Sequence, residues 1–278
     1  MKNIIRSRAE YDRRQTEAAR RVLVDVAQVL ASYRDAVVLV GGWVPELLLP
    51  NAVEPHSGSI DVDLALNVGK LTDGRYAKLI QTLLDTGRYQ QADDQCKLYG
   101  QVDLADGLGE IRVDVDFLKS PKQKLKKNHP RLLENFRPID AEGCEVAFRQ
   151  PGVISITGKM MRGADNKVEI NIIPIEFFVA MKAYALAGRD KPKDAYDLCY
   201  CLENYAQCES KMADLWRDSM ADPHIKKAIA ILREKFAQPN AYGPRQVVDF
   251  YDSANTEERA IQAQRAFQLV QRFLRAIG

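Results

Sequence analysis

Apolar and polar positions recur with two different periods along this chain. Leu23, Val26, Ala27 and Leu30 fall at helical spacing, with Arg13, Arg14, Arg20 and Arg21 around them, and predict a helix over residues ~4–34. Ala36–Val40 is a short unbroken apolar run and reads as a buried strand. Gly41-Gly42 turns the chain, and Trp43–Leu49 make a short helix that tolerates Pro45 in its first turn. After a loop over residues 50–59, Ile60–Leu66 is a strand and Leu71–Asp85 an amphipathic helix ended by Gly87. Lys97–Asp103 and Glu110–Leu118, joined by Ala-Asp-Gly-Leu-Gly, predict a hairpin. Strand-like pieces follow at Glu145–Phe148, Val153–Thr157 and Lys167–Ile172, and from Pro174 onward nearly everything has helical periodicity. The expected fold class is therefore α+β: a mixed sheet with flanking helices over residues 1–173 and a helical region over 174–278.

The strand Ile60–Leu66 contains an oddity. Strand side chains alternate faces, so Asp61 and Asp63 point the same way while Val62, Leu64 and Leu66 pack on the other side. Two bare carboxylates a few ångströms apart repel, and a divalent cation relieves the repulsion. The run Ile-Arg-Val-Asp-Val-Asp-Phe-Leu repeats the pattern, with Asp114 and Asp116 on one face, and either of them can complete the cluster. Gly41 and Gly42 add a turn whose amides can approach a phosphate, with a helix start behind it. There is no GxxxxGK[ST], so a P-loop is excluded.

Gly-Gly, then Asp-x-Asp, then a third Asp is similar to the order found in the polymerase β-type nucleotidyltransferase superfamily. Gly41-Gly42-Trp43, with His56 ahead of the two aspartates, resembles the GGWxxD…RxHxDxD pattern of antibiotic nucleotidyltransferases. The stretch MKAYALAGRDKPKDAYDLCY resembles the KxxAxxxRxKxKDxxDL motif of the AbiEii/AbiGii toxin family, through Lys182, Arg189, Lys191, Lys193, Asp194, Asp197 and Leu198. The sequence departs from the superfamily at two places. Trp43 stands where Ser or Thr often follows the glycines, and no Arg precedes Asp61, where His56, Ser57 and Ser59 stand instead.

The resemblance implies an enzyme that moves a nucleoside monophosphate from an NTP to an acceptor hydroxyl, with tRNA favoured as acceptor. Asp61, Asp63 and Asp114 would be catalytic and would hold Mg²⁺ or Mn²⁺. Gly41, Gly42, Ser59, Lys182, Arg189, Lys193, Asp194 and Asp197 would bind the nucleotide. It also implies a toxin-like role with an antitoxin partner. Two alternatives stand beside it: an antibiotic-type enzyme acting on a small molecule, and a non-catalytic nucleotide-binding module.

Charge and composition narrow the picture only slightly. Forty basic and 38 acidic side chains give +2, so no overall basicity announces a nucleic-acid binder. The basic run Lys119–Arg131 is either a track for an RNA backbone or a solvated loop. Five cysteines without a CxxC and three scattered histidines argue against structural zinc and for free thiols, with Cys199 on a buried helix face. No apolar run reaches the ~18–20 residues of a membrane span. The opening MKNIIRSRAEYDRRQ lacks the apolar core of a secretory signal, so a cytoplasmic protein is expected.

Overall fold

A computed structural model describes residues 6–72, 74–93, 96–124, 136–207 and 209–278. Residues 125–131 of the basic run, and Cys208, lie outside the described residues. The chain divides into two compact units. One comprises Asp12–Val44 and Gly58–Pro174; the other comprises Pro45–Ser57, Ile175–Gly278 and the described residues of Met1–Tyr11.

The first unit opens with α1 (Arg13–Val29). The single helix expected over ~4–34 is interrupted, because the Asp12 carboxylate accepts the Gln15 amide at 2.8 Å and caps α1 there. Residues 8–10 and Ala31–Ala36 on either side are short 3-10 turns. Then come β1 (Val37–Val40), the start of α2 (Trp43–Leu48), whose residues from Pro45 belong to the other unit, β2 (Val62–Leu66), α3 (Arg75–Asp85), β3 (Tyr89–Gln91), β4 (Lys97–Val102), β5 (Ile111–Lys119), β6 (Ile139–Asp140), β7 (Gly152–Lys159) and β8 (Asp165–Ile172).

Among the described residues these strands form one mixed sheet in the order β3-β4-β5-β2-β1-β8-β7, with β6 pairing β5. The hairpin read from the sequence is β4 with β5, antiparallel, from Lys97 opposite Asp116 to Val102 opposite Ile111. β1 lies between β2 and β8, and all four of its residues are buried, as an unbroken apolar run requires of a central strand. α1 packs against β7 and β8, and Ala18, Ala19, Val22, Leu23 and Val26 are among its buried residues. One expected strand is not there: Cys144–Phe148 is a 3-10 turn that follows Gly143 at φ +79°. Its buried Cys144, Val146 and Ala147 are apolar for packing rather than for sheet pairing.

The second unit holds α4 (Ile175–Gly188), α5 (Pro192–Asn204), α6 (Glu209–Asp218), α7 (Pro223–Lys235), α8 (Tyr242–Tyr251) and α9 (Thr256–Ile277), as the helical periodicity after Pro174 predicts. Its core is aromatic, with Trp216, Phe236, Phe250 and Phe273 fully buried and Trp216 edge-on to Phe273 at 5.1 Å. Among the described residues no helix is long and apolar enough to cross a membrane.

Candidate functional site

In the sheet unit, pairing sets a row of side chains across four strands. Val40 of β1 lies opposite Asp63 of β2, Asp63 opposite Asp116 of β5, and Asp116 opposite Lys97 of β4. Cross-strand partners share a face, so the row places two carboxylates side by side with an ammonium next to them. Asp61 enters the same face one residue before β2. Its Oδ1 accepts from the Ser59 hydroxyl at 2.6 Å, and its carbonyl accepts from Trp43 Nε1 at 2.9 Å. Trp43 therefore has a structural task of its own: its buried indole fixes the backbone that carries Asp61.

Asp61, Asp63 and Asp116 can each offer an oxygen, and these oxygens lie within 4.8 Å of one another. Asp116 is 7% exposed. Its Oδ2 accepts from Lys97 Nζ at 2.5 Å, while its Oδ1 is buried without a hydrogen-bond partner. Burial pushes the Asp116 carboxyl up to about 6; Lys97 opposes the rise, and Asp61 and Asp114 add to it. Asp114, the third carboxylate expected from the resemblance, is not part of this cluster. It turns Oδ1 to Arg112 Nε at 2.9 Å and Oδ2 to Lys97 Nζ at 3.8 Å. The choice left open between Asp114 and Asp116 thus falls geometrically to Asp116, because parallel register sets it against Asp63.

Gly41 is fixed by two separate demands. Its φ is +74°, and a Cβ there would lie 1.9 Å from Asp63 Oδ2. The glycine turn therefore brings bare backbone against the central carboxylate, and Gly42 beside it is buried. Three carboxylates with converging oxygens, of which Asp116 also carries a buried oxygen without a hydrogen-bond partner, beside a glycine turn are a donor set that suits a hard divalent cation.

The second cluster lies in the helical unit. Lys182 of α4 pairs with Asp194 Oδ1 at 2.8 Å and Asp197 Oδ2 at 2.7 Å. Lys193 pairs with Asp197 Oδ1 at 2.6 Å, one turn away on α5. Arg189 clasps Asp194 with two bonds of 2.7 and 2.9 Å. Lys182, Lys193, Asp194 and Asp197 are all buried. Burial pushes the Asp194 and Asp197 carboxyls up, but Lys182, with Arg189 at Asp194 and Lys193 at Asp197, outweighs it and holds both well below the usual range. Burial pulls Lys182 down, but its two aspartates hold it above its ordinary value.

His56 completes this cluster, with Nε2 2.9 Å from Asp197 Oδ1. Its ring stacks on Tyr196 at 5.2 Å and meets Tyr200 edge-on at 4.8 Å. Burial, helped by Lys193, lowers its pKa from 6.5 to about 4 against the opposing pull of Asp197, so His56 is neutral at pH 7. Acid must then weaken the helical unit. A depressed histidine contributes stability above its unfolded pKa, and this stability is lost as the pH falls from 6.5 toward 4. In urea denaturation the stability of the wild type relative to His56→Gln is expected to fall by about 3 kcal/mol across that window, a difference that sets aside Asp116, whose raised carboxyl titrates there in the opposite sense.

Of the residues singled out from the sequence, Asp61, Asp63, Gly41, Gly42 and Ser59 lie in the sheet unit, and Lys182, Arg189, Lys193, Asp194 and Asp197 in the helical unit. Sequence reading missed Lys97, whose only sequence signal is its place at the start of the strand paired with the aspartate strand, and it missed the partnership of His56 with Asp197. No curated protein matches the sequence. The model of the family described as nucleotidyl transferase AbiEii toxin, type IV toxin–antitoxin system, matches residues 27–272, a span reaching from α1 to α9, and the chain belongs to that family.

Proposed function

We propose that the protein transfers a nucleoside monophosphate from an NTP to an acceptor hydroxyl, with tRNA the favoured acceptor, as the toxin of a pair that includes a cognate antitoxin. The observation that carries this reading is the cluster of Asp61, Asp63 and Asp116 with its buried, unpartnered Oδ1. These three residues would hold Mg²⁺ or Mn²⁺. Bound there, the ion supplies positive charge toward a triphosphate and the attacking oxygen. Gly41 and Gly42 offer backbone amides to phosphate oxygens, and Ser59 orients Asp61. The acceptor oxygen bonds to the α-phosphorus, the bond from that phosphorus to the pyrophosphate bridging oxygen breaks, and the acceptor proton passes to Asp116.

The helical motif would add nucleotide affinity. Lys182, Arg189 and Lys193 against Asp194 and Asp197 leave one net positive charge. Arg189, whose side chain is 54% exposed, is the cation of the five with surface left for phosphate. Lys182, Lys193, Asp194 and Asp197 hold it in place from within. A cavity of about 730 Å³ in the same unit, lined by Tyr200, Tyr251, Arg265 and Arg272 together with Glu54 and Glu203, offers stacking rings to an unpaired nucleotide of the acceptor.

The test is incubation with each labelled NTP, Mg²⁺ and total bacterial RNA, beside Asp61→Asn/Asp63→Asn. Label in a tRNA-sized band with the wild type alone supports the reading. No label in RNA removes tRNA, and binding of NTP without transfer to RNA, proteins or small molecules supplied in turn favours the non-catalytic module. Gly41→Ala is expected to lower transfer at least about tenfold, since the left-handed backbone costs an alanine about 1–2 kcal/mol and Asp63 must move aside. Steady-state rates beside a thermal melt check this.

A further inference from the structure

β5 carries two carboxylates on one face, yet only Asp116 joins Asp61 and Asp63. Their strand positions alone do not separate them, because both alternate to the same side. The charged neighbours do. Lys97 stands opposite Asp116 in the antiparallel register, and its Nζ reaches Asp116 Oδ2 at 2.5 Å and Asp114 Oδ2 at 3.8 Å. Arg112, its guanidinium 4.0 Å over the Tyr99 ring, holds Asp114 Oδ1 at 2.9 Å. Both oxygens of Asp114 thus face cations. Asp116 has one oxygen engaged and the other buried and unpartnered.

We propose that Lys97 is a positioning residue that sorts these two carboxylates. It holds Asp114 away from the cation site and presents Asp116 to it through Oδ1 alone. This rests on the reading of Asp61, Asp63 and Asp116 as a divalent-cation site. Three carboxylates and one ammonium leave a charge of −2, which matches one divalent ion. A side chain opposite a ligand, rather than the ligand itself, then sets which oxygen is offered.

The test is a Mn²⁺ titration of the full chain without nucleotide, read by the loss of the free-ion electron paramagnetic resonance signal. With Lys97 in place, Asp116→Asn is expected to weaken binding about tenfold or more, and Asp114→Asn no more than about threefold. In Lys97→Met that preference should collapse, with Asp114→Asn now costing as much as Asp116→Asn within about threefold. Lys97→Arg, which keeps the charge, should restore the wild-type ranking, and this controls for a fold weakened by methionine. An unchanged ranking in Lys97→Met overturns the sorting role while leaving the cation site intact. Binding that ignores Asp61→Asn/Asp63→Asn in the wild type overturns the cation reading, and the sorting role with it.

Discussion

Asp63→Asn is expected to lower nucleotide transfer by about 10³-fold, roughly 4 kcal/mol of barrier, while the protein stays as stable as the wild type or becomes more so. Both halves follow from the same row of side chains. Asp63 lies between Val40 and Asp116, with Asp61 close by, so it supplies the central oxygen of the cluster. Asparagine keeps its size and one oxygen, so the sheet need not move. What is lost is one negative charge. In the absence of a cation that charge repels Asp61 and Asp116, and its removal relieves strain that the folded state otherwise carries. A site that is selected for function commonly costs stability in this way. Single-turnover transfer and a thermal melt, run on the same preparation, separate the outcomes. Retained transfer would remove the cluster from the mechanism. Lost transfer with a melting point lowered by many degrees would show a scaffold residue instead.

The parts of this site that were legible in the sequence are those governed by short-range rules. Strand alternation put Asp61 and Asp63 on one side without any knowledge of the partner strands. The Gly-Gly turn was visible because few residues tolerate the backbone that Gly41 adopts at φ +74°. Helical spacing put Asp194 and Asp197 on one face of α5. The parts that were not legible depend on register, which no local pattern fixes. Asp114 and Asp116 are equivalent until β5 is placed against β2, and the pairing of Asp63 with Asp116 decides between them. Lys97 becomes a neighbour of the cluster only through the β4–β5 hairpin register, nineteen residues away along the chain. His56 meets Asp197 across 141 residues. The misread segments have local causes as well. Asp12 broke a periodic helix because a cap competes well with one more turn. Glu145–Phe148 reads as a strand because its short apolar run, Val146, Ala147 and Phe148, fits a tight turn equally well.

Asp197→Ala is expected to destabilise the helical unit by about 3–5 kcal/mol, more than any other single truncation in its charged cluster. Its carboxylate faces Lys182 through one oxygen, and Lys193 and His56 through the other. All four side chains are nearly inaccessible, so water cannot replace what the mutation removes. Asp194→Ala should cost less. It leaves Lys182 on Asp197, and it frees Arg189, whose half-exposed guanidinium can turn to solvent. The double variant Asp197→Ala/Lys193→Met should recover part of the loss, because it removes a buried ammonium along with its partner. Urea denaturation of the three variants gives the ranking directly. A cost below about 1 kcal/mol for Asp197→Ala would mean that the lysines find water, and that the cluster is open enough to bind phosphate itself. The ranking also bears on how activity losses are read. A variant at Asp197 that fails to transfer nucleotide has lost its helix scaffold first, whereas Arg189→Met leaves the buried pairs of Lys182 and Lys193 in place. Arg189→Met is therefore the substitution whose effect on NTP affinity reports on nucleotide contact rather than on folding.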